Sequence, residues 1–248
     1  VGRLWPLGSW LILQRTVRCR WRFWMALATP RTWRLISLDQ TRLMARKRWK
    51  SECKAILSSP SNLKFSRAQL INRAKADSGI CNLEVALDIF AWGGINRKHA
   101  CSALQSFVGW EPIISNLRSE KCSSIEAYNQ FYELRKSKKL SGIGPAYYTK
   151  LIFFCHPKHD GYIMDQWTAR SVNLLVDQTE AHVRLNKSKY FQGVSDTNDQ
   201  RVYEKFCNNV ERLAKKCGKG DPSEIEEALF SKGGRNKLDW RRYVIKHT

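Results

Sequence analysis

The sequence predicts an all-α protein, and three observations support that prediction. Beyond residue 43, apolar residues recur at helical spacing in nearly every segment, for example at Leu83, Ala86, Leu87 and Phe90. Residues that commonly cap helices stand in front of several of these segments. The alternation of apolar and polar residues that is typical of half-buried strands is missing.

The individual helices are predicted from their apolar stripes and from the residues that start and stop them. Ser66 and Asn82 are expected caps, Gly93-Gly94 and Gly109 are expected stops, and Asp221 before a proline is a further start signal. The predicted helices cover about residues 46–57, 66–76, 82–92, 99–108, 111–118, 124–134, 145–154, 166–175, 201–216, 222–232 and 238–245.

The first 43 residues differ in composition from the rest of the chain. They hold eight arginines, no lysine, a single acid at Asp39 and five of the ten tryptophans. This composition is typical of an Arg-rich targeting peptide; alternatively, the segment is upstream sequence that is not part of the working protein. Met44 would serve as a natural start, so we favour the second interpretation. We expect residues 1–43 to contribute nothing to the fold and residues 44–248 to form one domain.

The charge of the chain predicts a polyanionic partner. The formal net charge is +21, and the first 43 residues account for +7 of it, so that +14 remains. An excess of this size is typical of proteins that bind nucleic acid. An anionic membrane is the less favoured alternative, because the sequence has no amphipathic anchor, lipidation signal or membrane-spanning segment.

The eight cysteines do not indicate a metal site or a disulfide framework. None of them forms a Cys-x-x-Cys pair. Cys155, His156 and His159 lie close together in the sequence and could form a metal site, but a loop with incidental polar residues is the favoured interpretation. We therefore expect no bound metal.

A glycine-containing turn, Leu140-Ser141-Gly142-Ile143-Gly144, separates two predicted helices in the middle of the chain. The glycines permit a positive φ angle, and Pro145 suits the first turn of the second helix. Backbone N–H groups at such a helix start can hold a phosphate oxygen. An ordinary helical turn without a ligand is the alternative.

An aspartate opens the helix that follows this hairpin. Asp165 comes after the apolar run Tyr162-Ile163-Met164 and stands where it can cap the next helix. Hydrogen bonds from the N–H groups of Trp167 or Thr168 would favour its ionised form. The sequence therefore predicts a carboxylate with a defined position, which can act as a cap, as a functional group or as both.

Together these two segments resemble the helix-hairpin-helix DNA glycosylase superfamily. The first part of its signature is a Leu-x-Gly-(Val/Ile)-Gly hairpin. The second part is an apolar residue followed by an aspartate, with a histidine or aromatic residue two positions after the aspartate. In this chain the second part is Met164-Asp165-Gln166-Trp167. The resemblance is strongest over residues 125–175. It implies an all-α fold of two lobes, one from about Asn96 to Tyr162 and one from the two ends of the chain, with the active site in the cleft between them.

The resemblance also implies an activity, the removal of a damaged base that has been flipped out of duplex DNA. The bond between base and sugar breaks through a cation-like transition state, which the Asp165 carboxylate would stabilise. An oxidised purine, 8-oxoguanine above others, is the expected substrate; undamaged adenine and alkylated bases are alternatives. We expect a cytoplasmic, nucleoid-associated monomer with no cofactor and no iron–sulfur cluster, because Cys207 and Cys217 lack the close spacing of the cluster ligands in endonuclease III.

The expected nucleophile is Lys150. In bifunctional relatives such as endonuclease III and the eukaryotic 8-oxoguanine glycosylases, the catalytic lysine follows the second hairpin glycine by two positions, which is Ala146 here. Lys150 lies one helical turn later and on the same face, and the archaeal GO glycosylases have a similarly altered hairpin. The alternatives are a phosphate-binding surface lysine, a monofunctional enzyme that uses water, and a DNA-binding module without catalysis.

Aromatic and basic side chains complete the expected site. A flipped base needs aromatic faces to stack on, and DNA phosphates need N–H groups and cations. The candidates for the base pocket are Trp92, Trp167 and Trp240, and those for DNA binding are Lys138, Lys139, Leu140, Gly142, Ile143, Gly144 and Arg170.

Overall fold

The computed structural model describes residues 65–176, 182–186, 193–230 and 239–247. The helices are α1 Arg67–Ala74, α2 Asn82–Trp92, α3 Arg97–Leu104, α4 Phe107–Arg118, α5 Ser124–Lys136, α6 Pro145–Cys155, α7 Gln166–Leu175, α8 Gln200–Lys216, α9 Pro222–Phe230 and α10 Asp239–His247, with a short 3-10 helix at Ala76–Ser78. Within these ranges there is no strand, only one isolated antiparallel bridge between Leu185 and Val194. The predicted all-α class is confirmed. The predictions for residues 1–43 and 46–57 lie outside the described residues.

Most of the predicted helix starts are found where the capping residues placed them. The Ser66 and Ser123 hydroxyls each accept a hydrogen bond from the backbone N–H three residues later, and the side chains of Gln69 and Glu126 accept one in return. The predicted cap at Asn82 is wrong by one position, because Cys81 is the N-cap. The Asn82 side chain binds Glu111 and Arg118 instead.

The boundary between α3 and α4 differs from the prediction. Gly109 was expected to end a helix, but α4 starts at Phe107 and continues through both Gly109 and Pro112. The break falls three to four residues earlier, at residues 105–106, next to the point where the indole N–H of the fully buried Trp110 donates to the Ala103 carbonyl at 3.0 Å. A buried tertiary contact of this kind outweighs the weak local preference of a single glycine.

Arg118 fixes the loop that joins α1 to α2. Its buried guanidinium donates hydrogen bonds to the carbonyl oxygens of Ala74, Lys75 and Ile80 at 2.6 to 2.9 Å. Carbonyl groups at a helix end need such partners. The end of α1 is therefore tied to α4, and this sets the position of Arg67 at the start of α1.

Helix α6 runs through the centre of the described core. Nearly all its side chains are buried, from Tyr148 through Cys155, and a helix that is apolar on every side is a core helix. The ring of Tyr148 stacks on Phe131 with centroids 5.4 Å apart. One continuous hydrophobic cluster contains residues from α1 to α9. The division into two lobes stays a prediction. None of the described helices combines the length and the apolar character needed to cross a membrane.

Candidate active site

A cavity of about 300 Å³ joins side chains from five parts of the chain. They come from α1, the end of α2, α6, the segment that leads into α7, and α9. Two of the residues predicted to carry the chemistry, Lys150 and Asp165, are among them. The lining residues are Arg67, Trp92, Lys150, Ile163, Asp165, Glu226, Glu227 and Phe230.

Lys150 lies inside the fold and not on its surface. Its side chain is 8% exposed, and its Nζ donates a hydrogen bond of 2.7 Å to the carbonyl oxygen of Ala146. Side chains on a helix lean towards the N-terminal end. The amine therefore reaches back by one turn to the level of residue 146, as the helical spacing predicts.

The surroundings of Lys150 favour its neutral form. Burial lowers the pKa of this lysine, and the carboxylates of Asp165 and Glu226 oppose part of the change. The distance from Nζ to Asp165 Oδ2 is 3.9 Å. An amine in such a place can lose its proton nearer to neutral pH than an exposed lysine, and only the neutral amine is a nucleophile.

Gly93 gives the aliphatic stem of Lys150 its room. A Cβ at this position would lie 3.1 Å from Lys150 Cδ and 3.2 Å from the Ile89 carbonyl oxygen. A side chain at residue 93 would therefore press on the stem of Lys150 where the end of α2 approaches α6. The neighbouring Trp92 then lies beside the lysine as a wall of the cavity.

The two carboxylate oxygens of Asp165 have different surroundings. Oδ1 accepts hydrogen bonds from the N–H groups of Trp167 at 2.8 Å and Thr168 at 3.1 Å, so the residue caps α7 as predicted. Oδ2 lies on the side of Lys150. The hydrogen bonds to Oδ1 fix the orientation of the carboxylate, so that Oδ2 lies on the side of the cavity where the Lys150 amine is.

Glu226 and Arg67 were not predicted from the sequence. Glu226 is buried on α9 and forms an ion pair with Arg67 of α1. Burial raises the pKa of Glu226 to about 7, even though Arg67 acts in the opposite direction. One signal was present in the sequence, because Glu226 shares the apolar stripe of α9 with Ile225 and Leu229.

The three predicted base-pocket tryptophans lie in different surroundings. Trp92 lines the cavity and packs edge-on against Phe154 with ring centroids 4.9 Å apart. Trp167 and Trp240 are not among the lining residues; the Trp240 indole N–H donates to the Ser171 hydroxyl. The second aromatic residue of the cavity is Phe230, which the sequence analysis did not identify.

Arg241 of α10 contacts Phe230, one of the aromatic residues that line the cavity. Its guanidinium lies 4.5 Å from the centroid of the Trp167 ring and 4.8 Å from that of Phe230. It also donates two hydrogen bonds to the Phe230 carbonyl oxygen. Cation–π contacts of this kind are stabilising when they are shielded from water. The C-terminal helix therefore holds Phe230 in place.

The hairpin turn is packed into the protein more tightly than a simple phosphate loop requires. Leu140 and Ile143 are buried in the core. Gly142 has a φ angle of +81° and lies against α3, where a Cβ would clash with the His99 carbonyl oxygen and come within 2.8 Å of Ala103 N. Gly142 is therefore required both by its backbone angle and by this close approach.

The N-terminal end of α6 has an acidic neighbour. A Cβ at Gly144 would lie 2.7 Å from Asp196 Oδ1. Arg135 holds the same carboxylate through two hydrogen bonds to Oδ2, at 2.9 and 2.7 Å. A phosphate that approached the hairpin N–H groups would have to displace this side chain or share the space with it.

Replacing Gly142 with alanine is expected to lower the melting temperature by about 2–8 °C or more. A left-handed backbone angle costs a non-glycine residue about 1–2 kcal/mol, the clash with α3 adds to it, and 1 kcal/mol corresponds to about 2–4 °C for a domain of this size. Gly79→Ala is the matched control, because Gly79 has a φ angle of +72° and nothing within 4 Å of its Cβ position. Equal losses in the two variants would contradict the packing argument.

The predicted basic contacts fall into two groups. Lys138 and Lys139 are exposed at the end of α5 and are accessible to a polyanion. Arg170 is buried on α7, and burial lowers its pKa. The Cys155, His156 and His159 side chains do not converge on one point: His159 Nδ1 is 2.7 Å from the Phe153 carbonyl oxygen, and His156 Nδ1 is 3.3 Å from Asp160. In the described ranges no group of three or more potential ligands is placed to hold a metal ion.

Comparison with known proteins gives one match. A protein-family model described as "Putative 8-oxoguanine DNA glycosylase OGG-like protein" matches residues 30–230. No curated protein and no solved structure matches the chain significantly. The matched range contains the hairpin and every residue that lines the cavity.

Proposed function

Because the chain belongs to the OGG-like family of DNA glycosylases, we propose that it removes an oxidised purine from duplex DNA with Lys150 as the nucleophile. Membership of this family indicates a DNA glycosylase. The single observation that carries the finer proposal is the buried Lys150, whose amine lies 3.9 Å from Asp165 inside a cavity. A lysine that only held a phosphate would be expected at the surface.

The proposed reaction uses the two side chains in different roles. The neutral amine of Lys150 attacks the sugar carbon that carries the base, and the bond to the base breaks. Asp165 stabilises the positive charge that develops on the sugar. Opening of the sugar ring then leaves a Schiff base between Lys150 and the DNA, from which the strand can be cleaved.

The cavity is where we propose that the flipped base is held. Its volume of about 300 Å³ lies at the lower end of the range for small-molecule sites. Trp92 and Phe230 supply the aromatic surfaces on which an extruded base can stack, and the polar lining can bind its edge. The choice of 8-oxoguanine among oxidised purines rests on the family description and on the resemblance of the hairpin.

One observation favours a second candidate function. Ala146 occupies the position of the usual lysine in bifunctional relatives, so the chain could bind DNA without catalysis or use water as the nucleophile. The burial of Lys150 and the position of Asp165 Oδ2 beside its amine favour the catalytic proposal. A module that only binds phosphates has no need for a buried amine in a cavity.

Incubating the full chain with duplexes that each carry one lesion is expected to release 8-oxoguanine and leave undamaged duplex intact. Borohydride added during the reaction should trap a covalent protein–DNA adduct, because it reduces a Schiff base. Base release without an adduct would mean that water is the nucleophile. DNA binding without release of any base would contradict the glycosylase proposal.

A further inference from the structure

Five charged side chains line the cavity, and the proposed reaction accounts for only two of them. Lys150 and Asp165 have roles, whereas the ion pair of Glu226 and Arg67 and the exposed Glu227 do not. Placing a carboxylate and a guanidinium inside a protein carries a desolvation cost that their attraction often does no more than offset. A buried Glu226 in the wall of a reaction cavity therefore calls for an explanation beyond stability.

From this arrangement we infer that Glu226 accepts the proton that Lys150 must lose before its amine can attack the sugar. The inference rests on the proposed function, in which only Lys150 and Asp165 have roles, and it adds a role for Glu226. The ammonium cannot attack, and its proton needs a nearby acceptor.

The two carboxylates near Lys150 differ in their ability to take up that proton. Asp165 Oδ1 accepts hydrogen bonds from two backbone N–H groups, and the proposed reaction already uses this carboxylate to stabilise the charge on the sugar. Glu226 is 1% exposed and receives its hydrogen bond from the Arg67 side chain. Burial raises the pKa of Glu226 to about 7, so this carboxyl can bind and release a proton at neutral pH.

Charged and ionisable groups from several neighbouring elements surround Glu226. Arg67 and Lys150 favour its ionised form, and Asp165 disfavours it. Other buried ionisable groups lie on helices packed against α9 or its neighbours. Of these, the Arg170 and Arg241 guanidinium groups stay charged, and the Tyr203 and Cys207 side chains stay neutral because burial raises the pKa of each.

The proton that the Lys150 ammonium loses is given to the base at the end of the proposed step. It passes from Lys150 Nζ to a Glu226 carboxylate oxygen through water in the cavity, which has room for water molecules. The Nζ–sugar bond then forms and the sugar–base bond breaks, with its electron pair leaving on the base nitrogen. Glu226 gives the proton to that nitrogen and is a carboxylate again.

Single-turnover base release from a lesion duplex, measured against pH, tests the inference. Glu226→Gln keeps the size of the side chain and should slow release at pH 7 about 100-fold or more, within the usual range for a lost proton acceptor. The wild-type rate should rise with pH through about 7, where Glu226 ionises. In Glu226→Gln this rise should move to higher pH, where Lys150 loses its proton without help, and Glu226→Asp should restore part of the rate.

A change at Arg67 separates proton transfer from a purely structural role. Arg67 lowers the pKa of Glu226, so Arg67→Gln should move the rise in rate to higher pH without removing it. If Glu226 only anchors α1 to α9, both variants should lose rate and stability together and keep the wild-type pH profile, and the inference is overturned. Glu224→Gln, an exposed residue of the same helix, is the control and should behave as wild type.

A titration of the DNA-free protein distinguishes failure of this inference from failure of the proposed function. Carbon-13 NMR of the Glu226 carboxyl, assigned with Glu226→Gln, should show a midpoint near 7. A midpoint below about 5, in the ordinary range for glutamate, overturns the inference even if the protein is an active glycosylase. A chain that releases no base from any duplex overturns the proposed function and the inference with it.

Discussion

Replacing Lys150 with glutamine is expected to abolish the borohydride-trapped adduct and the strand cleavage that follows from it. Base release should fall on the order of a thousandfold, because removal of the nucleophile leaves only binding and electrostatic contributions. Glutamine has nearly the length of lysine and can still donate to the Ala146 carbonyl oxygen, so the fold should be retained. Trapping on an 8-oxoguanine duplex, followed by denaturing electrophoresis, measures the result.

The affinity of this variant for undamaged duplex should be nearly unchanged. Lys150 is buried, whereas the cations that contact phosphates must be accessible. Lys158→Gln is the matched control, because Lys158 is exposed near Glu120 and should keep full trapping. An adduct that persists in Lys150→Gln would show that another amine is the nucleophile.

Replacing Asp165 with asparagine is expected to reduce the rate of base release on the order of a hundredfold or more. Loss of preorganised charge at a developing cation commonly has an effect of this size. The substitution also removes a carboxylate that raises the pKa of Lys150, so more of the amine becomes neutral. A fall in rate would therefore show that stabilising the sugar cation matters more than the availability of the amine.

The helix cap should survive this substitution. Asparagine caps helices about as well as aspartate, and the Asp165 Oδ1 contacts to two N–H groups can be made by an amide oxygen. Asp199→Asn is the control, because Asp199 caps α8 and is not among the residues that line the cavity. If Asp165→Asn retains wild-type activity, the glycosylase proposal is wrong.

Local signals predicted the helices well where the decisive contacts are local. Ser66, Ser123 and Asp165 start helices through bonds that span three residues, and such bonds can be read from the sequence. Gly109 misled the prediction because Trp110 is fixed by a contact with α3. The effect of Trp110 on the helix boundary depends on packing that no local sequence pattern reveals.

The candidate site was predicted in part, for a similar reason. Lys150 and Asp165 belong to two neighbouring motifs, and the resemblance to a known superfamily placed them in one site. Glu226 is separated from Lys150 by 76 positions, and Phe230 by 80. Nothing in the sequence near either residue indicates which side chains they face, although a glutamate on an apolar stripe was a signal that could have been used.

The sequence by itself determined the helical class, most of the helix starts, and the hairpin and capped aspartate by which the family can be identified. These follow from backbone hydrogen bonding and from side-chain spacing along one helix, which depend on residues a few positions apart. Only the tertiary structure decided that Lys150 is buried, that Asp165 directs one oxygen at it, and that Arg67 and Glu226 complete the cavity. Burial and charge proximity are set by the packing of α1, α6 and α9, which are distant in the chain, and these two quantities control the pKa values on which the chemistry depends.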